Sequence, residues 1–350
     1  ATGNSGRFWH LFTNGHTPSM ISVPRPLRKL LLLVAGIAAC ASPVMARWET
    51  VRHNGQDYVT VRSMKSFYGF QTMKNTGRFL ELENKAVKMK LTIGGQEVFM
   101  NNVKFVFSFK ILAHQGHYLV SRIDLGKLVD PVLRPSYIPG KTPFNTIIID
   151  PGHGGKDSGA VNRFGLEKNY NLAVARTLKK ELEARRFKVI MTRDADRTLS
   201  LAERVKFANK FTNAIFISIH FNSGGAGGRG GAEGIETFTL SPAGVAHYGR
   251  GTRADDFQIR QGNAQDSANI ALATAVHGTC LRKTGRDDRG IRRARFSVLT
   301  GIKHPAILLE GGFMSNPHEA RLIDTAAYRK TLSRSIADAV VKYRLATTGR

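Results

Sequence analysis

The stretch from Ile147 to Glu167, IIIDPGHGGKDSGAVNRFGLE, constrains the fold of this chain more than any other. Three β-branched residues in a row, Ile147, Ile148 and Ile149, suit a strand buried on both faces, as in a parallel sheet. The run stops at Asp150-Pro151-Gly152-His153, where proline removes a ladder donor and glycine frees the backbone. A polar, glycine-rich loop therefore leaves the carboxyl end of a core strand, and open α/β sheets form their ligand crevices there. His153 stands at the mouth of this loop, and Glu167 opens a helix fourteen residues later. The two read as ligands of one metal ion.

Strand and helix signals then alternate. Leu172, Ala175, Leu178 and Leu182 recur at helical spacing, Lys188 to Thr192 reads as a strand, and Ser200 with Glu203 forms a capping-box pattern for a helix to about Lys210. Ala214 to Ile219 is a third strand, and it ends in His220, a third ligand at the same sheet edge. Further strands are expected at Ile235–Leu240, Phe296–Leu299 and Ala306–Glu310, with helices at Ala268–Arg282, Pro317–Ile323 and Tyr328–Tyr343. The pattern predicts an α/β fold, a three-layer, twisted, mostly parallel sheet flanked by helices. Ser223 to Asp266 interrupts it with a glycine-rich run (224–231) and an aperiodic excursion (241–266) that would border or cover the cleft.

The chemistry follows from four residues. A catalytic zinc site takes three protein ligands, commonly imidazoles and a carboxylate, and keeps one position for water. His153, Glu167 and His220 supply that set. Glu310, at the end of an apolar strand and followed by Gly311 and Gly312, is then the carboxylate that moves the proton in amide hydrolysis. Each residue has a plainer reading: a lone histidine is usually structural, and Glu167 alone would be a first-turn acid. An ionised Glu310 beside an apolar run is costly unless it lies near a cation. His247, His277, His304 and His318 read as structural, as do His53, His114 and His117 in turns. Lys156 lacks the phosphate-loop context, since Asp157 stands where Ser or Thr is needed.

Five segments, DPGHGGKDSGA, the following Glu167, SIHFN (218–222), DRGIRRARFSVL (288–299) and PAILLEGGFMSN (305–316), resemble the zinc-dependent N-acetylmuramoyl-L-alanine amidases of the type 3 family over about residues 145–345. The resemblance implies that His153, Glu167 and His220 bind one Zn2+ ion and that Glu310 is the catalytic carboxylate. It also implies a peptidoglycan substrate, cut between the lactyl group of N-acetylmuramic acid and the first L-alanine of the stem peptide. Asn222 and Arg289 are candidate substrate contacts, and Arg292 and Arg293 could join them or form a solvated surface. Some relatives carry an autoinhibitory helix released by a protein activator; residues 223–266 show no clear amphipathic helix of that kind. Two other readings stand beside this one, another exported zinc amide hydrolase and a catalytically silent cell-wall-binding protein.

Charge and the N-terminal third complete the picture. Fifty-two Lys and Arg against 26 Asp and Glu give a formal charge of +26, which suits an acidic polymer such as nucleic acid, anionic lipid or wall material. No zinc knuckle, RNP aromatic pair or concentrated basic arm is present, so nucleic acid is not the expected partner. After Met20, the basic residues Arg25, Arg28 and Lys29 precede the apolar run Leu30–Ala41, the length of a signal-peptide core and too short to span a bilayer. Export to the periplasm or cell envelope is expected, with cleavage before Arg47 or, alternatively, a lipoprotein box ending at Cys40, and no transmembrane span in the mature chain. Cys280 is then left without a disulfide partner. Residues 47–135 read as a small β-rich accessory domain, 136–143 as a linker and 144–346 as the catalytic domain. The accessory segment contains a repeat, HNGQDYVTVRS at 53–63 and HQGHYLVSR at 114–122. It resembles the stalk-like domain of copper amine oxidases, and the resemblance implies a wall-binding or spacer role.

Overall fold

A computed structural model describes residues 48–139, 143–224 and 231–348. The expected leader, with Cys40 and both cleavage sites, lies outside these residues, as do 140–142 of the linker and 225–230 of the glycine-rich run. Among the described residues, no helix is long and apolar enough to cross a membrane.

The repeat is structural. β1 (Thr50–His53) and β2 (Gln56–Thr60) turn at Asn54-Gly55, with φ of 47° and 76°. β8 (Leu112–His114) and β9 (His117–Ser121) turn at Gln115-Gly116, with φ of 46° and 76°. Two consecutive positive φ values mark the tight hairpin turn that matches strand twist. Each unit then enters a helix capped by its own last hydroxyl. Thr60 accepts from the Ser63 amide ahead of α1 (Val61–Tyr68), and Ser121 from the Asp124 amide ahead of Arg122–Asp124. β2 and β9 pair antiparallel, so the two units close one four-stranded sheet, β1-β2-β9-β8. Between them runs an antiparallel meander of β3 (Thr72–Asn75), β4 (Phe79–Glu83), β5 (Lys88–Thr92), β6 (Glu97–Met100) and β7 (Val103–Val106).

The second part is built on β10 (Thr146–Pro151), β13 (Lys188–Met191), β14 (Ala214–Asn222), β15 (Ile235–Leu240), β16 (Asp288–Ala294) and β17 (Ala306–Phe313). A two-stranded ribbon, β11 (Val161–Asn162) with β12 (Gly165–Leu166), lies inside the loop after His153. The order is β13-β10-β14-β17-β15-β16, parallel throughout except for β15 against β17. Alternate residues face two cores, which produces the three layers. Ile147, Ile149, Ile217 and Leu309 pack under α2 (Glu167–Glu183), α4 (Asp266–Thr284), α6 (Pro317–Asp324) and α7 (Ala326–Thr348). Ile148, Phe216 and Leu308 face the opposite side, with Ala208 of α3 (Leu201–Ala208) and Val298 of α5 (Ser297–Thr300).

One expectation is corrected. Phe296–Leu299 is not a strand: Ser297–Thr300 is a short helix, and the strand lies just before it, at Asp288–Ala294. That strand gives no apolar signal because its arginines face buried carboxylates, Arg289 and Arg292 meeting Glu236 and Arg293 meeting Asp124. The sheet itself runs on into the accessory part. β16 pairs in parallel with β7, Ile291 opposite Phe105, so that eleven strands run continuously from β13 to β3.

The excursion 241–266 contains two short 3₁₀ turns, Ala254–Phe257 and Gln261–Gln265. Buried Asp256 tethers it, accepting from Arg250 at 2.7 and 2.8 Å, from the Arg253 amide at 2.8 Å and from Arg295 at 2.6 Å. These donors, Arg250 first, hold the Asp256 carboxyl well below the usual carboxylate range. A carboxyl depressed on folding contributes stability above its ordinary value, lost only as pH falls through the lower folded value. The tether is therefore in place at neutral pH. Asp256→Asn is expected to strip amide protection from residues 243–258 at pH 7 in hydrogen exchange; unchanged protection would mean that the anchor lies elsewhere.

Candidate metal centre

The site forms where β10, β14 and β17 end side by side. His153 follows Pro151 and Gly152 and takes a left-handed backbone, φ 60°, which a non-glycine residue adopts only where its surroundings enforce it. Two buried guanidinium groups do so. Arg204 donates to Asp150 at 2.7 Å, to the Pro151 carbonyl at 2.8 Å and to the His153 carbonyl at 2.7 Å. Arg193 reaches the carbonyls of Pro151 at 2.9 Å and Gly152 at 2.8 Å. Asp150 also accepts from Thr192 at 2.6 Å and Ser218 at 2.9 Å. Arg193 and Arg204 are missed by sequence reasoning. The available signal is Asp150, a carboxylate ending an apolar strand and therefore in need of partners.

Glu167, at the first position of α2, lies between the two histidines. Its Oε1 is 3.1 Å from His153 Nε2 and 3.0 Å from His220 Nδ1. The three ligand atoms lie within 4.8 Å of one another, and among the described residues they form the one such group of three. A tetrahedral ion with bonds of about 2.0–2.2 Å needs its ligand atoms roughly 3–3.5 Å apart, a spacing that the two Glu167–histidine distances meet, and two imidazoles with a carboxylate are a donor set suited to zinc. His153 Nδ1 meets Asp157 Oδ2 at 2.8 Å, the outer contact that fixes ring orientation and leaves Nε2 for a metal. Burial alone would raise the Glu167 carboxyl, but hydrogen bonds from His153 and His220 hold it well below its ordinary value. It stays an anion. Burial opposes protonation of His153, and Glu167 and Asp157 outweigh it, so its basicity is raised.

Two glycines are required by space. A Cβ on Gly152 would overlap the His220 ring, and one on Gly159, φ 64°, would lie 2.5 Å from Glu167 Oε2. Gly152→Ala is expected to weaken metal binding at least about tenfold, the range seen when the support of a ligand is disturbed. Dialysis against zinc with metal analysis checks this, and full metal content would contradict it.

Glu310 lies across from His220 in the β14–β17 register. It is partly exposed, yet its Oε2 is buried with no hydrogen-bond partner. Burial first, then the charges of Glu167 and Glu236, push its carboxyl well above the ordinary range. Glu236 is likewise missed by sequence reasoning. It faces Glu310 in the β15–β17 register and is 2% exposed. Its Oε1 takes Arg289 at 2.8 Å and Arg292 at 2.6 Å, and its Oε2 takes Asn222 at 2.7 Å. Arg289 is the extra residue of a β-bulge between Asp288 and Gly290, which turns it toward Glu236 beside Arg292. Asn222 and Arg289, the expected substrate contacts, are thus brought together on one buried carboxylate. The Arg289 guanidinium also lies over the Phe313 ring, and its side chain remains 32% exposed.

No other described histidine joins a group of this kind. His277, for example, bridges Thr237 and Asp288 at 2.9 Å each. Among the described residues, the excursion 241–266 contributes no ligand atom to the group.

Comparison with known proteins places this geometry. A family model described as N-acetylmuramoyl-L-alanine amidase (Amidase_3) matches residues 147–342, the segment that holds every residue of the site. The chain belongs to this family. The amidase is 31% identical to AmiA of Escherichia coli (strain K12) over 220 residues, 56% of this chain and 75% of that protein. It is 32% identical to AmiC of Neisseria meningitidis over 226 residues, 56% of this chain and 52% of that protein. Among solved structures it is similar to the catalytic domain of CwlV from Bacillus (Paenibacillus) polymyxa, with 32% identity, a TM-score of 0.47, and coverage of 57% of this chain and 98% of that one. The chain spans about half the length of the Neisseria relative.

Proposed function

We propose that this amidase is an exported, zinc-dependent hydrolase of the bond between N-acetylmuramic acid and L-alanine in peptidoglycan. The observation that carries the reading is the convergence of His153, Glu167 and His220 beside a buried, unpartnered Glu310 oxygen, inside the family-matched segment. His153, Glu167 and His220 would hold one zinc ion, which supplies a water acidified to a pKa of about 7 and polarises the scissile carbonyl. Glu310 takes a proton from the attacking water and returns it to the departing amide nitrogen. Its raised proton affinity suits the second half of that role, when the carboxyl must hold the proton until nitrogen leaves. Glu236 holds Asn222 and Arg289 at the cleft, and the exposed part of Arg289 offers a cation to the carboxylates of a stem peptide. The charge of +26 suits an anionic wall polymer. In this reading residues 47–135 are an accessory wall-binding domain, 136–143 a linker and 144–346 the catalytic domain.

Mass spectrometry of the products from peptidoglycan, with zinc and with chelator, tests this directly. Free stem peptides beginning at L-alanine, lost with chelator and restored by zinc, are expected. Cleavage of simple peptides but not muropeptides would instead favour another zinc amide hydrolase. Intact sacculi carrying bound protein would favour a silent wall-binding protein.

A further inference from the structure

Arg289 is the extra residue where β16 slips against β15, between Asp288 opposite Ile235 and Gly290 opposite Glu236. Gly290 takes a φ of 96°, open to glycine and strained for other residues. A bulged residue has left the ladder, so the ladder alone does not aim its side chain. The contacts that do so come from the accessory part and from α4.

Asp288, just before the bulge, has both carboxylate oxygens engaged. Oδ2 accepts from the Lys104 amide of β7 at 2.7 Å. Oδ1 lies 2.9 Å from His277 Nε2, and His277 Nδ1 lies 2.9 Å from the hydroxyl of Thr237, the residue after Glu236. His277 and Thr237 are fully buried, so this relay stands out of water, where a polar group without its partner is costly. Gly290, just after the bulge, is covered by the Lys104 side chain, and a Cβ there would lie 3.2 Å from Lys104 Cδ. One accessory residue therefore holds both flanks of Arg289, Asp288 through its amide and Gly290 through its side chain. Between those flanks the Arg289 guanidinium reaches Glu236 at 2.8 Å and lies 4.8 Å from the centre of the Phe313 ring. The far end of the relay closes on β15 one residue from Glu236. The same contacts thus set both Arg289 and the carboxylate it meets.

We infer that Asp288 is a positioning residue, which with Lys104 of the accessory strand and His277 aims Arg289 to receive a carboxylate of the stem peptide. The inference rests on the amidase reading for its ligand. Recognition of a carboxylate by a guanidinium depends on a fixed planar fork, and small misplacements of a binding group are expensive. In this arrangement the accessory part acts on substrate without touching it.

The test uses the full chain loaded with zinc and two muropeptides, one with free stem carboxylates and one with those groups amidated. Asp288→Asn keeps the size of the side chain and leaves one acceptor oxygen where two are needed. It should lower the ratio of kcat/KM between free and amidated substrate about tenfold, through KM and not kcat. Arg289→Gln should lower the same ratio, and adding Asp288→Asn to it should lower it no further, because Asp288 acts through Arg289. Thr237→Val, which removes the far end of the relay at similar volume, should shift the ratio in the same direction by about threefold. An equal loss on both substrates, independent effects of Asp288→Asn and Arg289→Gln, or an unchanged ratio in Thr237→Val would overturn the proposal, since general support of the sheet would then suffice. Binding is read separately by calorimetry with the free-carboxylate muropeptide in the Glu310→Gln background, where Asp288→Asn should weaken it about tenfold. A parent that releases no stem peptides from peptidoglycan yet shows that loss of binding would sink the amidase reading and leave the role of Asp288 standing.

Discussion

Glu310→Gln is expected to lower kcat by about 10²- to 10⁴-fold, the usual contribution of a positioned proton carrier, while making the metal-free protein more stable at pH 8. The second half follows from the sign of the shift. Burial, Glu167 and Glu236 raise the Glu310 carboxyl well above its ordinary value of 4.5. For a carboxyl raised on folding, the contribution to stability is complete below that ordinary value and is lost as pH rises through the higher folded value. Without metal, the parent must then either bury an anion opposite two others or keep its proton. Glutamine has nearly the same shape and carries no charge. Thermal melts of metal-free parent and variant should coincide near pH 4 and separate at pH 8, with the variant higher. Zinc should narrow the gap, because a cation between His153, Glu167 and His220 offsets the same repulsion. Equal melts at pH 8 would mean that Glu310 carries no such penalty, and the account of its proton affinity would fail. A variant that melts higher and still turns over at the parent rate would remove Glu310 from catalysis altogether. The pattern expected here, activity traded against stability at one residue, is the behaviour of a site built from destabilising groups.

How far the site can be read from sequence depends on how costly each residue is where it stands. His153, His220 and Glu310 are legible because polar, titratable groups close apolar strands, and such groups need a reason to be there. Glu236 carries the same mark, lying in Ile235-Glu236-Thr237-Phe238, but a single strand does not say which carboxylate it will face. Only the antiparallel register of β15 against β17 sets it opposite Glu310. Arg193 and Arg204 are hidden for a different reason. They serve backbone carbonyls and Asp150 from far along the chain, and in a protein with 52 basic residues nothing distinguishes them beforehand. β16 is hidden because its apolar pattern is replaced by paired arginines. The accessory repeat was legible through its turns, Asn54-Gly55 and Gly116, where positive φ leaves a chemical trace. The joining of the sheets was not legible, since Val103-Lys104-Phe105-Val106 reads as a strand whatever its neighbour.

That joint leads to the prediction with the largest effect on stability. Arg293 of β16 is 4% exposed, and its guanidinium meets Asp124 at 2.9 Å, Ser108 at 2.6 Å and the Lys127 carbonyl at 2.8 Å. Asp124, fully buried, also accepts from the amides of Ser108 at 2.9 Å and Phe109 at 3.1 Å and from the Ser121 hydroxyl at 2.7 Å. One pair therefore ties the catalytic sheet to the second repeat unit and to the loop before it. Removing one member of a buried pair leaves the other uncompensated, at a cost of about 3–5 kcal/mol. Arg293→Leu is expected to lower the midpoint of thermal unfolding by roughly 10 °C, at a few degrees per kcal/mol for a chain of this size. Calorimetry should show one transition in the parent, because the sheet is continuous, and two in the variant as the accessory part melts first. The double variant Arg293→Leu with Asp124→Ala should recover part of the loss, because no lone charge remains, but not all of it, because the Ser108 and Phe109 amides lose their acceptor. Two transitions already present in the parent would mean that the parts are independent beads on a linker. A single transition shared by parent and variant, at the same temperature, would mean that β7 and β16 hold the joint without the ion pair. The remaining outcome, a lowered and split transition with zinc content unchanged, would assign the accessory part a structural share in the sheet that carries Arg289 and Arg292 to Glu236.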